Sequence, residues 1–189
     1  MNDILGLIDL VTDATLRQQL KKLYSDFQGD IETMPASVKH HHNWTGGYHD
    51  HVSQVILRAM HLYKMLYTDD MSEYHATRVK PEPYGFSWDD VILVAYIHDL
   101  DKLFRYKKLY TPRDGREWDY ADVPSYDESA KVTQLCYQYG IQLSDLHLEA
   151  LAMHHGGWSA NNNKPMSPLA VIIHSADLMS TFITNHKGD

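Results

Sequence analysis

Apolar residues recur every three to four positions along much of this chain, and that spacing predicts helices. From Asp3 to about Phe27, Ile4, Leu7, Ile8, Val11, Leu16, Leu20 and Leu23 mark a first helical segment. Gly29 to Gly47 carries Pro35, a His40-His41-His42 run and a Gly pair, which reads as a loop. Val52, Val55, Ile56, Ala59, Met60, Tyr63 and Leu66 form the stripe of a second helix, from near Tyr48 to about Tyr67. Thr68 to Gly85, broken by Pro81 and Pro83, reads as an exposed connection. Ser87 is a suitable N-cap, with Asp89 and Asp90 in the first turn of a helix from Trp88 to about Asp101. That helix is apolar nearly all round through Val91-Ile92-Leu93-Val94-Ala95-Tyr96-Ile97, so it belongs inside a bundle. A buried strand is the competing reading of so short a run.

Phe104 to Val123 suits a small hairpin turning at Pro112-Arg113-Asp114-Gly115, with Tyr106, Leu109, Tyr110, Trp118 and Tyr120 in its strands. Further helices are expected from Ser125 to about Tyr139, from Ser144 to about His155, and from Ser167-Pro168 to about Thr184. The result is an all-α bundle with a small β-hairpin insertion, and 189 residues suit one domain.

Hydrophobic residues make up 43% of the chain, enough for a packed core without staples. A single cysteine, Cys136, excludes an internal disulfide and a Cys-rich zinc site. No basic-then-apolar start resembles a signal peptide, and no apolar run is long enough to cross a bilayer, so a cytoplasmic protein is expected. The net charge of −8 disfavours general nucleic-acid binding. Lys102, Arg105, Lys107, Lys108, Arg113 and Arg116 are a local basic exception, either a solvated hairpin or a phosphate-binding patch. Of the 13 His, the run at 40–42 reads as a solvated loop rather than a metal site.

A His-Asp pair alone carries little, and the chain has two, His49-Asp50 and His98-Asp99. The second ends the most apolar segment, where an ionisable pair needs a partner that a cation would supply. A satisfied core histidine and a helix-end aspartate are the plain alternative. Order and setting add weight: Gly46-Gly47-Tyr48-His49-Asp50-His51 opens a helix and Tyr96-Ile97-His98-Asp99-Leu100-Asp101-Lys102 closes one. Ala152-Met153-His154-His155-Gly156-Gly157 closes another, and Ile173-His174-Ser175-Ala176-Asp177-Leu178 lies within an apolar helix.

This series resembles the HD superfamily of metal-dependent phosphohydrolases, from roughly Gly46 to Met179, with a motif-bearing core at 46–184. The Gly-Gly element before His51, the His-Asp-Leu-x-Lys run and the His-His-Gly run are similar to HD domains of bacterial exoribonucleases. Glu149 to Asp177 is similar to HD-type dinucleoside tetraphosphate hydrolases. The resemblance implies that His51, His98, Asp99 and Asp177 hold a catalytic divalent metal, with His49 the rival for the first position. It assigns His154 and His155 to a second metal or the substrate phosphate, and Asp99 and Lys102 to catalysis. His174 falls to a supporting or core position. Two departures stand out. Asp101 replaces the usual Gly before Lys102, and no His opens the helix after Pro124, where Asp127 and Glu128 are the available substitutes. His147 lies about 10 Å along a helix from His154, too far to share an ion with it.

Two or three imidazoles and two carboxylates suit Mn, Fe, Co, Ni or Zn, and Mg is allowed. The expected activity is hydrolysis of a nucleotide or related small phosphate ester. Lys102, Arg105 and Lys107 would meet the phosphate, and Trp44, Tyr48, Tyr106 or Trp158 would wall a base. The rivals are an HD-type diiron oxygenase and a non-catalytic metal- or nucleotide-binding regulatory module. A homo-oligomer is left open.

Overall fold

The first helical stretch folds as two helices, α1 (Ile4–Ile8) and α2 (Ala14–Ile31), where the apolar spacing alone predicts one. The break has a physical cause at Thr12-Asp13. The Asp89 carboxylate accepts hydrogen bonds from Thr12 N, Thr12 Oγ1 and Asp13 N, each at 2.8 Å. Asp13 then caps α2, accepting from the amides of Thr15 and Leu16. Helix α2 also runs past Gly29, which the sequence places in a loop. Asp89→Ala leaves three donors without their acceptor, and we expect a loss of about 2–4 kcal/mol in denaturant unfolding with metal binding unchanged.

The computed structural model describes residues 3–67, 85–113, 115–123, 127–156 and 165–183. The expected connection around Pro81 and Pro83 lies outside them, as do Trp158 and the expected helix ends at Ser125 and Thr184. Helix α3 (Gly47–Tyr67) carries the expected stripe, with Val52, Val55, Ile56 and Ala59 fully buried. Helix α4 (Trp88–Ile97) starts at a Ser87–Asp90 capping box, and Val91 to Ile97 are buried without exception. The strand alternative for this run does not form. A short α5 (Lys102–Arg105) leads into a two-stranded antiparallel hairpin of β1 (Tyr106–Arg113) and β2 (Arg116–Tyr120). Tyr106 pairs with Tyr120 and Lys108 with Trp118, and the register shifts before the turn.

Three helices complete the described fold: α6 (Glu128–Gln138), α7 (Asp145–Met153) and α8 (Pro168–Ile183). Helix α3 packs on α4 and α8, α7 packs on α8, and α4 touches α3, α7 and α8. His147 ties α7 to α4 through Asp90, Nε2 to Oδ1 at 2.7 Å. The architecture is thus mostly helical with one small hairpin. Among the described residues, no helix is long and apolar enough to cross a membrane.

Candidate metal centre

His51 lies in the second turn of α3, fully buried. Its Nδ1 is 3.0 Å from Ser180 Oγ on α8, and Ser180 Oγ donates to Gln54 Oε1 at 3.1 Å. Arg58 Nη1 also donates to Gln54 Oε1, at 3.0 Å, which fixes that amide with its oxygen toward both donors. With its hydrogen committed to Gln54, the Ser180 hydroxyl accepts from His51 Nδ1–H. The Nε2 of His51 therefore carries a lone pair. His98, at the C-cap of α4, reaches the same state by donating Nδ1–H to Ala95 O at 2.8 Å.

The two Nε2 atoms face each other at 3.3 Å in a fully buried space. Two lone pairs so placed repel unless a positive charge sits between them. Carboxylates complete the surround. His51 Nε2 lies 3.2 Å from Asp99 Oδ2 and 3.3 Å from Asp177 Oδ1. His98 Nε2 lies 3.4 Å from Asp99 Oδ2 and 3.9 Å from Asp177 Oδ1. Ligand atoms each about 2.1 Å from one ion sit about 3.0–3.4 Å apart at right-angled to tetrahedral openings and up to about 4.2 Å apart at wider ones, so this spacing fits a single cation. Buried His and Asp groups here could hold a metal ion.

The local field points the same way. Burial disfavours a charged His98, yet Asp99 and then Asp177 raise its pKa above the usual imidazole value. Burial would raise the pKa values of both carboxyls, but both are held low. For Asp99 the charges of Lys102 and His98 do this, and for Asp177 the close approach of His51 and the charge of His98.

Each carboxylate also faces a second group. Asp99 Oδ1 lies 3.9 Å from His154 Nε2, and both atoms are buried with no hydrogen-bond partner among the described residues. His154 donates Nδ1–H to Leu151 O at 2.6 Å, so its inward nitrogen also carries a lone pair. Burial and the neighbouring His155 push its pKa down to about 4. His155 is half-exposed, with Nδ1 3.9 Å from Asp177 Oδ2 and Nε2 3.5 Å from Glu128 Oε2. Asp99, His154 and His155 form a second grouping able to hold an ion. Asp127, the other acidic candidate, is occupied as the N-cap of α6.

The basic residues divide. Lys102 is buried and bonds Asp99 Oδ2; burial opposes its charge, and Asp99 more than offsets this. Arg105 bridges Asp101 and Glu128, while Lys107 is exposed on β1. His49 points away from the centre, 3.7 Å from Asp3, in an open cavity of about 440 Å³ also lined by Glu32, Thr45, Gly46 and Asp50. His174 donates Nδ1–H to His154 O at 2.8 Å, outside the cluster. Of the aromatic candidates, Tyr48 is fully buried and Tyr106 nearly so, and Trp44 donates to Asp50.

His41 and His42 correct the solvated-loop expectation, while His40 is exposed. His42 is 1% exposed, and the rings of His41 and His42 lie 5.0 and 5.2 Å from that of His51. A backbone bend places them there. His42 has φ +49, a left-handed conformation costing a non-glycine residue about 1 kcal/mol. The usable signal was Gly47, whose missing Cβ leaves room for His42 O, combined with the short distance to His51.

Because Ser180 fixes the His51 tautomer, Ser180→Ala is expected to weaken metal affinity about 10–100-fold while helix content stays constant. Titration calorimetry with Mn²⁺ checks this, and unchanged affinity would remove the relay's role.

No solved structure matches this chain. A relative, dihydroneopterin 2′,3′-cyclic phosphate phosphodiesterase of Methanocaldococcus jannaschii, is 24% identical over 187 residues, covering 94% of this chain and 67% of its own length. Residues 7–184 match the profile of a further group, and the chain belongs to that family, TraI_2, described as "Putative helicase".

Proposed function

We propose that this chain is a metal-dependent phosphohydrolase of the HD type, acting on a small phosphate ester such as a cyclic phosphate or nucleotide. On this reading residues 1–189 form one HD-type domain with its motif-bearing core at 46–184, working in the cytoplasm. The observation that carries it is the convergence of His51, His98, Asp99 and Asp177 with both inward nitrogens bearing lone pairs. The cyclic-phosphate phosphodiesterase among its relatives supports the class of reaction. The helicase description of the family finds no motor here. The chain has no Gly-x₄-Gly-Lys-Ser/Thr phosphate loop, and its net charge is −8.

His51, His98, Asp99 and Asp177 would hold the cation, with Asp99, His154 and His155 available to a second. Bound there, a divalent ion supplies Lewis acidity toward water and a phosphoryl oxygen. The protein's own groups do the rest. Lys102 neutralises Asp99 and keeps a positive charge next to the reacting phosphate. Where no second ion is held, His155 faces carboxylates through both ring nitrogens, the setting of a protonated imidazole, and stands exposed where it can give a proton to the leaving oxygen. Arg105 holds Glu128, which in turn orients His155. Lys102→Ala should retain metal and lose roughly a hundredfold in turnover; unchanged turnover would exclude Lys102 from catalysis.

The direct test is a panel of 2′,3′-cyclic nucleotides, nucleoside mono- and triphosphates and dinucleoside polyphosphates with Mn²⁺ or Co²⁺. The expected result is phosphate-ester cleavage of at least one member, abolished by chelation. Metal binding without any cleavage would leave a binding module, and oxygen consumption with two bound irons would leave an oxygenase.

A further inference from the structure

Four imidazoles beyond His41 and His42 line the centre, and the rings follow one another in space. His41 lies 5.0 Å from His51, His51 5.4 Å from His98, His98 5.5 Å from His154, and His154 3.8 Å from His155. His41 and His42 therefore approach the centre from the His51 end, and His155 from the other. Nitrogens of His41, His42 and His51 lie within 4.8 Å of one another, a spacing that also fits a cation.

That cation reading fails on lone pairs. The Ser180–Gln54–Arg58 relay commits His51 Nδ1 as a donor, so His51 has one lone pair to give, at Nε2. The same lone pair faces Asp99 and Asp177, and a divalent ion prefers the grouping that contains carboxylates. His41 and His42 are left beside the centre rather than in it.

What they offer is hydrogen bonding. Their Nδ1 atoms lie 3.2 Å apart, which in neutral rings requires one N–H and one lone pair. Each neutral imidazole then has the opposite state at Nε2, so the pair presents one Nε2–H between them. His42 is buried, while His41 is partly exposed and accessible to a ligand. An anion beside His41 selects the arrangement in which His41 carries the outward N–H and His42 donates to it.

The fold invests in this placement. His42 is held at positive φ, its carbonyl accepts from Ala36 N at 3.2 Å, and Ser37 Oγ accepts from the amides of Lys39 and His40. Gly47 admits the His42 carbonyl against the start of α3. A solvated loop needs none of these constraints.

We propose that His41 donates a hydrogen bond to a phosphoryl oxygen of the substrate bound at the cation, with His42 holding its ring in position. This rests on the phosphohydrolase reading above. The test is calorimetric binding of inorganic phosphate to the Mn²⁺-loaded full chain. His41→Ala should keep its Mn²⁺ content and bind phosphate at least about tenfold more weakly, the scale of one hydrogen bond to a charged group. His41→Gln, which restores an N–H donor, should recover part of that loss. Equal phosphate affinity in the parent and His41→Ala overturns the proposal and leaves the hydrolase reading intact. Loss of Mn²⁺ from His41→Ala also overturns it, by making His41 a ligand. A loaded parent chain that binds no phosphate overturns the hydrolase reading and this proposal together.

Discussion

Asp99→Ala is expected to abolish Mn²⁺ binding and all phosphate-ester cleavage while leaving most of the helix content. Asp99 Oδ2 approaches both His51 and His98, Oδ1 faces His154, and the same carboxylate neutralises buried Lys102. Among the described residues, no other side chain connects both groupings and the lysine. Removal therefore takes away a negative charge from the cluster and strands Lys102 without its partner, a loss of about 3–5 kcal/mol of stability. His98→Ala should lose metal as completely without stranding the lysine. Circular dichroism with metal analysis separates these effects, and full activity in either variant would end the metal-centre account.

The same centre gives a pH dependence. The pKa of His98 is raised above its ordinary value of 6.5 by Asp99 and Asp177, so protons compete with the cation for its Nε2. Metal affinity should be intact above that raised pKa and fall as the pH drops through it, beginning above pH 6.5. Affinity constant down to pH 5 would contradict the assignment of His98 as a ligand.

Gly47→Ala is the second large effect. A Cβ built there would meet the His42 carbonyl oxygen at 1.9 Å and its carbon at 2.8 Å, both backbone atoms that cannot rotate away. Either the loop carrying His41 and His42 moves or the start of α3 unwinds, and α3 carries His51 four residues on. We expect a loss of about 3 kcal/mol, and with it a fall in Tm of about 10 °C. Gly29→Ala is the control. It lies within α2, nothing stands within 4 Å of the added atom, and stability should rise by up to about 1 kcal/mol. Equal melting temperatures for Gly47→Ala and the parent would show that the close approach is not needed.

Much of this could be read from the chain because it depends on local pattern. The stripe from Val52 to Tyr63, the cap at Ser87 and the buried run from Val91 to Ile97 each follow from spacing and residue type. The split of the first helix did not, because the group that holds Thr12 and Asp13 is Asp89, 76 and 77 positions away. The convergence of His51, His98, Asp99 and Asp177 was legible through order and resemblance, and periodicity carries no such information. The relay through Ser180 and Gln54 was invisible, since it needs α3 and α8 in contact. The His41-His42 pair was missed for a related reason. Adjacent histidines in a loop converge only when the backbone takes an uncommon turn, here at His42 itself.

The central claim is that four side chains from α3, the end of α4 and α8 surround one ion. Crystals grown with Mn²⁺ and measured at an anomalous wavelength test it most directly. The account predicts a peak about 2.2 Å from His51 Nε2, His98 Nε2, and one oxygen each of Asp99 and Asp177. A Mn²⁺ peak elsewhere, with these four atoms bridged only by water or protons, would contradict it.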